Sequence, residues 1–388
     1  MRTAMLLLIL CAWIPTVTAQ PPAARPNVQA VRSPEVLPDR RVTFRLLAPK
    51  ATEVSVAGEF KAASQAIPME KDEKGLWSVT IGPLEPEIYN YNFTIDGVRT
   101  IDPNNPNVKT GSTPTTIMSI VEVRGDEPAF YDGAAVPHGV VHERWYQSKS
   151  LGKLRRLLVY LPPDYEHNRS AKYPALYLLH GANADENAWT RLGRANLILD
   201  NLLVAGKAKA FVVIMPFGYG VPPGSAAPGG APNRNLELFS KDLIQDVIPL
   251  IEAEYRVYND RDHRAIAGLS MGGNEALTIG LTHLELFSRV AGFSAAIRPT
   301  GLDKTLTDVI ANPEQTNRKL HLLWVSCGTE DGLLAANQSF SAFLKQHNIQ
   351  HQFRTSAGEH TWIVWRRNLR DIAPLLFAQE SVKGGTRP

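Results

Sequence analysis

The chain has 388 residues, 41 Lys and Arg against 38 Asp and Glu, and 44% hydrophobic residues. That is enough for one or two domains with a substantial core. A formal net charge of +3, with no dense run of lysine and arginine, argues against a nucleic acid or an anionic membrane as partner.

The opening stretch, MRTAMLLLILCAWIPTVTAQ, places Arg2 before an apolar run at 4–14 and ends it in Val17-Thr18-Ala19. The run is too short to span a bilayer, Pro15 interrupts it, and its small-residue end fits signal cleavage. Residues 1–19 are therefore expected to be a signal peptide, and the chain secreted or periplasmic. Leu10 is too bulky to precede a lipidated Cys11. The mature chain then keeps only Cys327, so no internal disulfide can hold it, and its core must do so. Cys327 lies in the apolar run LLWVSCG and reads as packing.

Residues 20–40 are rich in Pro, Ala and Arg and read as a flexible leader. From residue 41, short runs such as VTFRLLAP, TEVSVAGEF, GLWSVTIGPL and YNYNFTIDG alternate β-branched or aromatic residues with polar ones. Gly, Pro, Asp and Asn separate them. This predicts a small antiparallel β-sandwich over 41–125. Trp77 and Tyr89 could stack on sugar rings if exposed, or fill the sandwich core. Residues 126–137, DEPAFYDGAAVP, read as a linker.

From 138 to 380 the texture is different. RRLLVYLP, YPALYLLH, AFVVIMP, HRAIAGLS, VAGFSA and HLLWVSCG are apolar strand candidates with helical patterns between several of them. In LFSKDLIQDVIPLIEAEY, the residues Leu243, Val247, Leu250, Ile251 and Tyr255 share one helical face. Strands alternating with amphipathic helices predict an α/β fold with a mostly parallel sheet flanked by helices. The Gly/Pro-rich stretch 216–235 leaves the end of a strand, where ligands bind in such folds.

IAGLSMGG, at 266–273, ends a strand and starts the helix NEALTIGLTHL. A serine hydroxyl needs a base and must be thrust out of the backbone. A tight strand-to-helix turn does this only with small neighbours, here Gly268 and Gly272. Ser270 is thus the candidate nucleophile. Among the histidines that follow it, His360 in SAGEHTW comes directly after the last strand and is the candidate base. Asp331, in CGTEDGLL, lies just beyond an apolar strand and is the candidate acid, with Glu330 its nearest rival. The oxyanion that forms needs backbone donors, and the N–H groups of Met271 and Ala182 are the candidates. His180 reads as structural, holding the turn before Ala182. Trp189 and Trp362 are expected to shape the substrate slot. No cofactor is called for, and no His/Cys/Asp spacing suits a metal.

These segments resemble the esterase D group of α/β-hydrolases, and within it carbohydrate esterase family 1. The likeness rests on YLPPDY (160–165), LLHG with ENAWT (178–190), GRANLILDNLLVAGK (193–207), VVIMPFGYG (212–220), AGLSMGG (267–273), GTEDGLL (328–334) and GEHTWIVWRRNL (358–369). The resemblance implies feruloyl or acetyl xylan esterase activity on plant cell-wall polysaccharide, with Ser270, Asp331 and His360 as the triad. Glu359 departs from the glycine often found before the histidine. The sandwich resembles a family 48 carbohydrate-binding module, carried by GLWSVTIGPL, YNYNFTIDG and IDPNNP. A siderophore esterase of enterobactin type, an acyltransferase that excludes water and a non-catalytic glycan-binding protein remain as alternatives.

Overall fold

The computed structural model describes residues 31–60, 65–113, 116–224 and 234–378. The expected signal peptide and residues 20–30 of the expected leader lie outside the described residues. Eight strands form the larger sheet: β1 (Val140–Ser148), β2 (Lys153–Leu161), β3 (Ala175–Leu179), β4 (Val212–Pro216), β5 (Arg264–Leu269), β6 (Arg289–Phe293), β7 (Leu322–Gly328) and β8 (Gln352–Ser356). Their spatial order is β1-β2-β4-β3-β5-β6-β7-β8. β1 and β2 run antiparallel to each other, and β2 runs antiparallel to β4. From β4 through β8 every pairing is parallel.

Every residue of β3 through β7 is buried. That explains their unbroken apolar texture, since a sheet covered on both sides has no solvent face. The pleat sends Leu176 and Leu178 into one core and Tyr177 and Leu179 into the other. Helices α1 (Ala195–Val204) and α5 (Trp362–Leu376) close the first core with Ile198, Leu199, Val364, Leu369 and Ile372. Helices α2 (Arg234–Asp242), α3 (Ser270–Thr282) and α4 (Leu334–Gln346) close the second with Phe239, Leu277, Phe340 and Leu344. Beyond α2 the chain widens into a π-type turn, Leu243–Val247, before a final helical segment, Ile248–Glu254. The turn sits where Pro249 cannot donate an amide to the helix.

The register puts the ends of the strands level. Leu179 pairs with Gly268, Leu269 with Phe293, Phe293 with Ser326, and Gly328 with Ser356. The loops that leave β3, β5, β7 and β8 therefore share one edge of the sheet, and these loops carry Ala182, Ser270, Asp331 and His360.

The N-terminal region is a two-sheet antiparallel sandwich. One sheet has the order Glu35–Val36, Val42–Leu47, Leu76–Ile81, Glu70–Lys71; the other runs Ile67–Pro68, Val54–Gly58, Glu87–Ile95, Met118–Val123, Val108–Lys109. Phe44, Tyr91 and Phe93 pack ring against ring in its core. Trp77 is 7% exposed and Tyr89 5%, so both fill this core and neither offers a face to a sugar. The expected leader also needs correction, because Glu35–Val36 pairs with Val42–Thr43, and the Ser33 hydroxyl bonds Asp102 at 2.6 Å.

The stretch 126–137 is fixed in place. Asn201 donates to the carbonyls of Phe130 and Asp132 at 3.0 and 2.9 Å, and Tyr131 is 4% exposed. Across the seam, the fully buried Arg366 of α5 pairs with Glu87 of the sandwich and donates to the Leu192 carbonyl at 2.8 Å. Among the described residues, no helix is long and apolar enough to cross a membrane.

Candidate active site

Ser270 sits at the junction of β5 and α3 with φ of +52°, the left-handed region that costs a side-chain-bearing residue energy. The flanking glycines explain how the strain is accommodated. A Cβ on Gly268 would lie 2.3 Å from the Gly272 carbonyl oxygen, and one on Gly272 would lie 2.4 Å from that of His180. No other residue type fits at either position. The turn is further tied by the Ala296 N–H, which donates to the Ser270 carbonyl at 2.9 Å.

Three side chains converge on this turn. His360 Nε2 lies 2.9 Å from Ser270 Oγ, and His360 Nδ1 lies 2.8 Å from Asp331 Oδ2. The serine hydroxyl thus donates to Nε2, and the Nδ1–H donates to the carboxylate. The Asp331 side chain is fully buried, and its second oxygen accepts the Leu333 N–H at 2.8 Å. Burial pushes the Asp331 carboxyl up, but the bonds from His360 and the Leu333 amide outweigh it. The group is held below the ordinary carboxylate range, and so stays charged beside the imidazole. Glu330, the sequence rival, instead accepts the Gly358 N–H at 2.5 Å and shapes the turn that carries His360.

The remaining expectations divide. Gly181 lies against the nucleophile, since a Cβ there would come within 3.1 Å of the Ser270 Cβ. Ala182, next in the chain, is exposed at this edge. Met271 lies in the first turn of α3, where amides have no intrahelical acceptor and the helix dipole favours negative charge. His180 is buried. Its Nδ1–H donates to the Gly181 carbonyl at 2.8 Å, and its Nε2 accepts the Gly218 N–H at 2.9 Å. Burial pushes its pKa down to about 4, so it is a neutral staple between two loops. Cys327 is wholly buried, and burial, followed by the charge of Asp331, pushes its thiol up to about 12.

Trp189 and Trp362 must be corrected. They are 0% and 3% exposed, so neither can touch substrate. Trp189 donates Nε1–H to the Leu179 carbonyl at 2.9 Å, and the two indoles meet edge to face at 5.2 Å. A large indole with a backbone partner for its N–H gains more by filling the core than by facing water. The ring that touches the imidazole is Trp365, edge-on to His360 at 4.9 Å. Its position one helical turn into α5 was the only available signal. Beside Met271 a groove of about 490 Å³ opens between α3 and the loop after β6, lined by Asn274, Glu275, Thr278, Ile297 and Arg298. The expected loop contribution is only partly visible, because 225–233 lies outside the described residues. Among the described residues, no group of three or more His, Cys, Asp or Glu is gathered to hold a metal.

Comparison with known proteins gives the family. Residues 148–376 match the family model described as "Putative esterase", and residues 30–108 match carbohydrate-binding module 48, the isoamylase N-terminal domain. An endo-1,4-beta-xylanase/feruloyl esterase of Xylanibacter ruminicola is 32% identical over 340 residues, covering 86% of this chain. The chain spans 44% of that relative's length. A solved ferulic acid esterase is 29% identical with a TM-score of 0.53, over 62% of this chain and 98% of its own. The enterobactin esterase of Shigella flexneri shares the fold at 18% identity, with a TM-score of 0.63 over 87% of this chain and 92% of its own. The α/β-hydrolase sheet, the strained serine at the end of β5 and the family match over most of the larger domain lead to one conclusion: the chain belongs to the esterase family.

Proposed function

We propose that the chain is a secreted or periplasmic serine carboxylesterase that removes feruloyl or acetyl groups from plant cell-wall polysaccharide such as xylan. In this reading 1–19 is a signal peptide, 41–125 a module of the carbohydrate-binding type and 138–380 the catalytic domain. The observation that carries it is the hydroxyl–imidazole–carboxylate series, at 2.9 and 2.8 Å, on one edge of the sheet.

The chemistry follows from that series. Ser270 Oγ bonds to the ester carbonyl carbon while His360 Nε2 takes its proton. Asp331 holds the imidazole by Nδ1–H and stabilises the imidazolium that forms. The carbonyl oxygen, now negative, is received by the N–H groups of Ala182 and Met271. Collapse of the tetrahedral intermediate breaks the bond to the sugar oxygen, which leaves with the proton from His360. A water, deprotonated by His360, then attacks the acyl-serine, and Ser270 regains its proton as the acid departs. No step requires a metal or an organic cofactor.

Two observations support the acyl group. A relative named endo-1,4-beta-xylanase/feruloyl esterase matches 86% of the chain. The groove of about 490 Å³ beside Met271 also has room for an aromatic acid, where an acetyl group would need only a small closed slot. The experiment compares methyl ferulate, acetylated xylan and a catecholate trilactone as substrates for the parent and Ser270→Ala. Ferulate or acetate release that disappears in the variant is expected. Turnover of the trilactone alone would favour a siderophore esterase, and full activity in Ser270→Ala would end the proposal.

A further inference from the structure

The loop that carries Ala182 is anchored by a tyrosine on the loop that leaves β4. Asn183 has φ of +63°, left-handed without being glycine. Its N–H donates to the Tyr219 hydroxyl at 2.8 Å. Asparagine is one of the few side-chain-bearing residues that visit the left-handed region, and a part-buried hydrogen bond, at about 0.5–1.5 kcal/mol, biases the turn further toward it. The bond to Tyr219 therefore narrows the turn to one orientation.

Tyr219 is itself a fixed post. It is 9% exposed, and its ring packs against Phe217 and His180 with centroids at 5.3 and 6.0 Å. Its carbonyl accepts Arg155 Nη1–H at 2.7 Å, and the buried Arg155 also binds the Phe217 carbonyl. The next amide, Gly220 N–H, donates to Asn235 Oδ1 at 2.9 Å. Asn235 donates in turn to Glu275 Oε1 at 2.8 Å, five residues beyond the nucleophile on α3. The Tyr219 hydroxyl is thus placed by bonds reaching β2, α2 and α3, and it touches the turn one residue past Ala182.

We infer that Tyr219 is the positioning residue of the oxyanion hole, its hydroxyl holding the Ala182–Asn183 turn so that the Ala182 N–H is aimed before substrate arrives. This rests on the proposed role of Ala182 as an oxyanion donor. Tyr219 acts through the loop and takes no part in bond making. Its loss is therefore felt where negative charge develops and not in ground-state binding.

The test is Y219F, which keeps the ring and deletes the acceptor, assayed on methyl ferulate and p-nitrophenyl acetate. Y160F serves as control, because it also removes a buried tyrosine hydroxyl, here bonded to Asp200 at 2.7 Å and remote from the site. For Y219F, kcat is expected to fall about 10–100-fold with KM within about twofold. Affinity for an aryl boronic acid, which mimics the tetrahedral adduct, is expected to fall by the same factor. Y160F is expected to keep kcat while losing more thermal stability than Y219F, because its hydroxyl serves a buried carboxylate. Incorporation of 3-fluorotyrosine at position 219 weakens the acceptor without deleting it, and a smaller loss of kcat in the same direction is expected. Unchanged kcat in Y219F, a loss carried by KM, or an equal loss in Y160F would overturn the inference. Should Ser270→Ala retain activity, the underlying catalytic reading fails; should it be inactive while Y219F is fully active, only the role of Tyr219 fails.

Discussion

Arg366→Met removes the buried one of the cations that tie the sandwich to the catalytic domain; Arg194, half-buried, also pairs with Glu122 across this seam. The Arg366 side chain is 0% exposed and that of Glu87 only 6%. Removing one partner of a buried pair leaves the other charge without compensation, at about 3–5 kcal/mol. The Leu192 carbonyl also loses its donor, which adds about 1 kcal/mol, and the guanidinium no longer lies over the Tyr131 ring, 4.9 Å away. The expected loss is therefore about 4–6 kcal/mol, and at roughly 2–4 °C per kcal/mol the melting temperature should fall by about 10 °C or more. The double variant E87L/R366M removes both charges. It should recover most of that loss, leaving the unmet Leu192 carbonyl and imperfect packing. Thermal and urea unfolding of parent, single and double variants, followed by circular dichroism, measure this. A single variant within about 1 kcal/mol of the parent, or a double variant no better than the single, would refute the reasoning.

Two further outcomes follow from the site. Because the folded-state pKa of Asp331 is depressed, its stabilisation is fully present above the ordinary value of 3.8 and is lost as pH falls through the lower folded value. The gap in melting temperature between parent and Asp331→Asn should thus be widest above about pH 5 and shrink on acidification; a gap that widened at low pH would contradict this. Trp189→Phe deletes the bond to the Leu179 carbonyl and part of a fully buried ring, and should cost about 1–3 kcal/mol in urea unfolding. Its KM for methyl ferulate should stay within about twofold of the parent, and a larger rise would return this indole to the substrate slot.

Local chemistry carries some of these features and distance hides others. Gly268 and Gly272 are legible in the sequence because a strained serine between strand and helix excludes any Cβ, and both positions prove sterically closed. The choice of Asp331 over Glu330 was not local. Both sit at the end of β7, and only the path of the β8 turn decides that one faces the imidazole and the other the Gly358 amide. Trp189 and Trp362 were misplaced because residue type and proximity to a motif do not reveal which side of a helix faces the core. The sequence placed Tyr219 in the loop expected at the ligand-binding edge but gave no hint of its role, since its partner, Asn183, matters through a backbone N–H that any residue but proline carries.

The sequence by itself determined the element types, the apolar strands and the strained serine turn, because periodicity and steric exclusion act over a few residues. It also set the chain order of serine, aspartate and histidine. Tertiary structure alone decided which groups meet. Ser270 and His360 stand 90 residues apart and Glu87 and Arg366 279 apart, and only the level strand ends and the packed seam bring them into contact. The physical reason is that a hydrogen bond depends on ångströms of separation and on orientation, which the fold fixes and no short segment encodes.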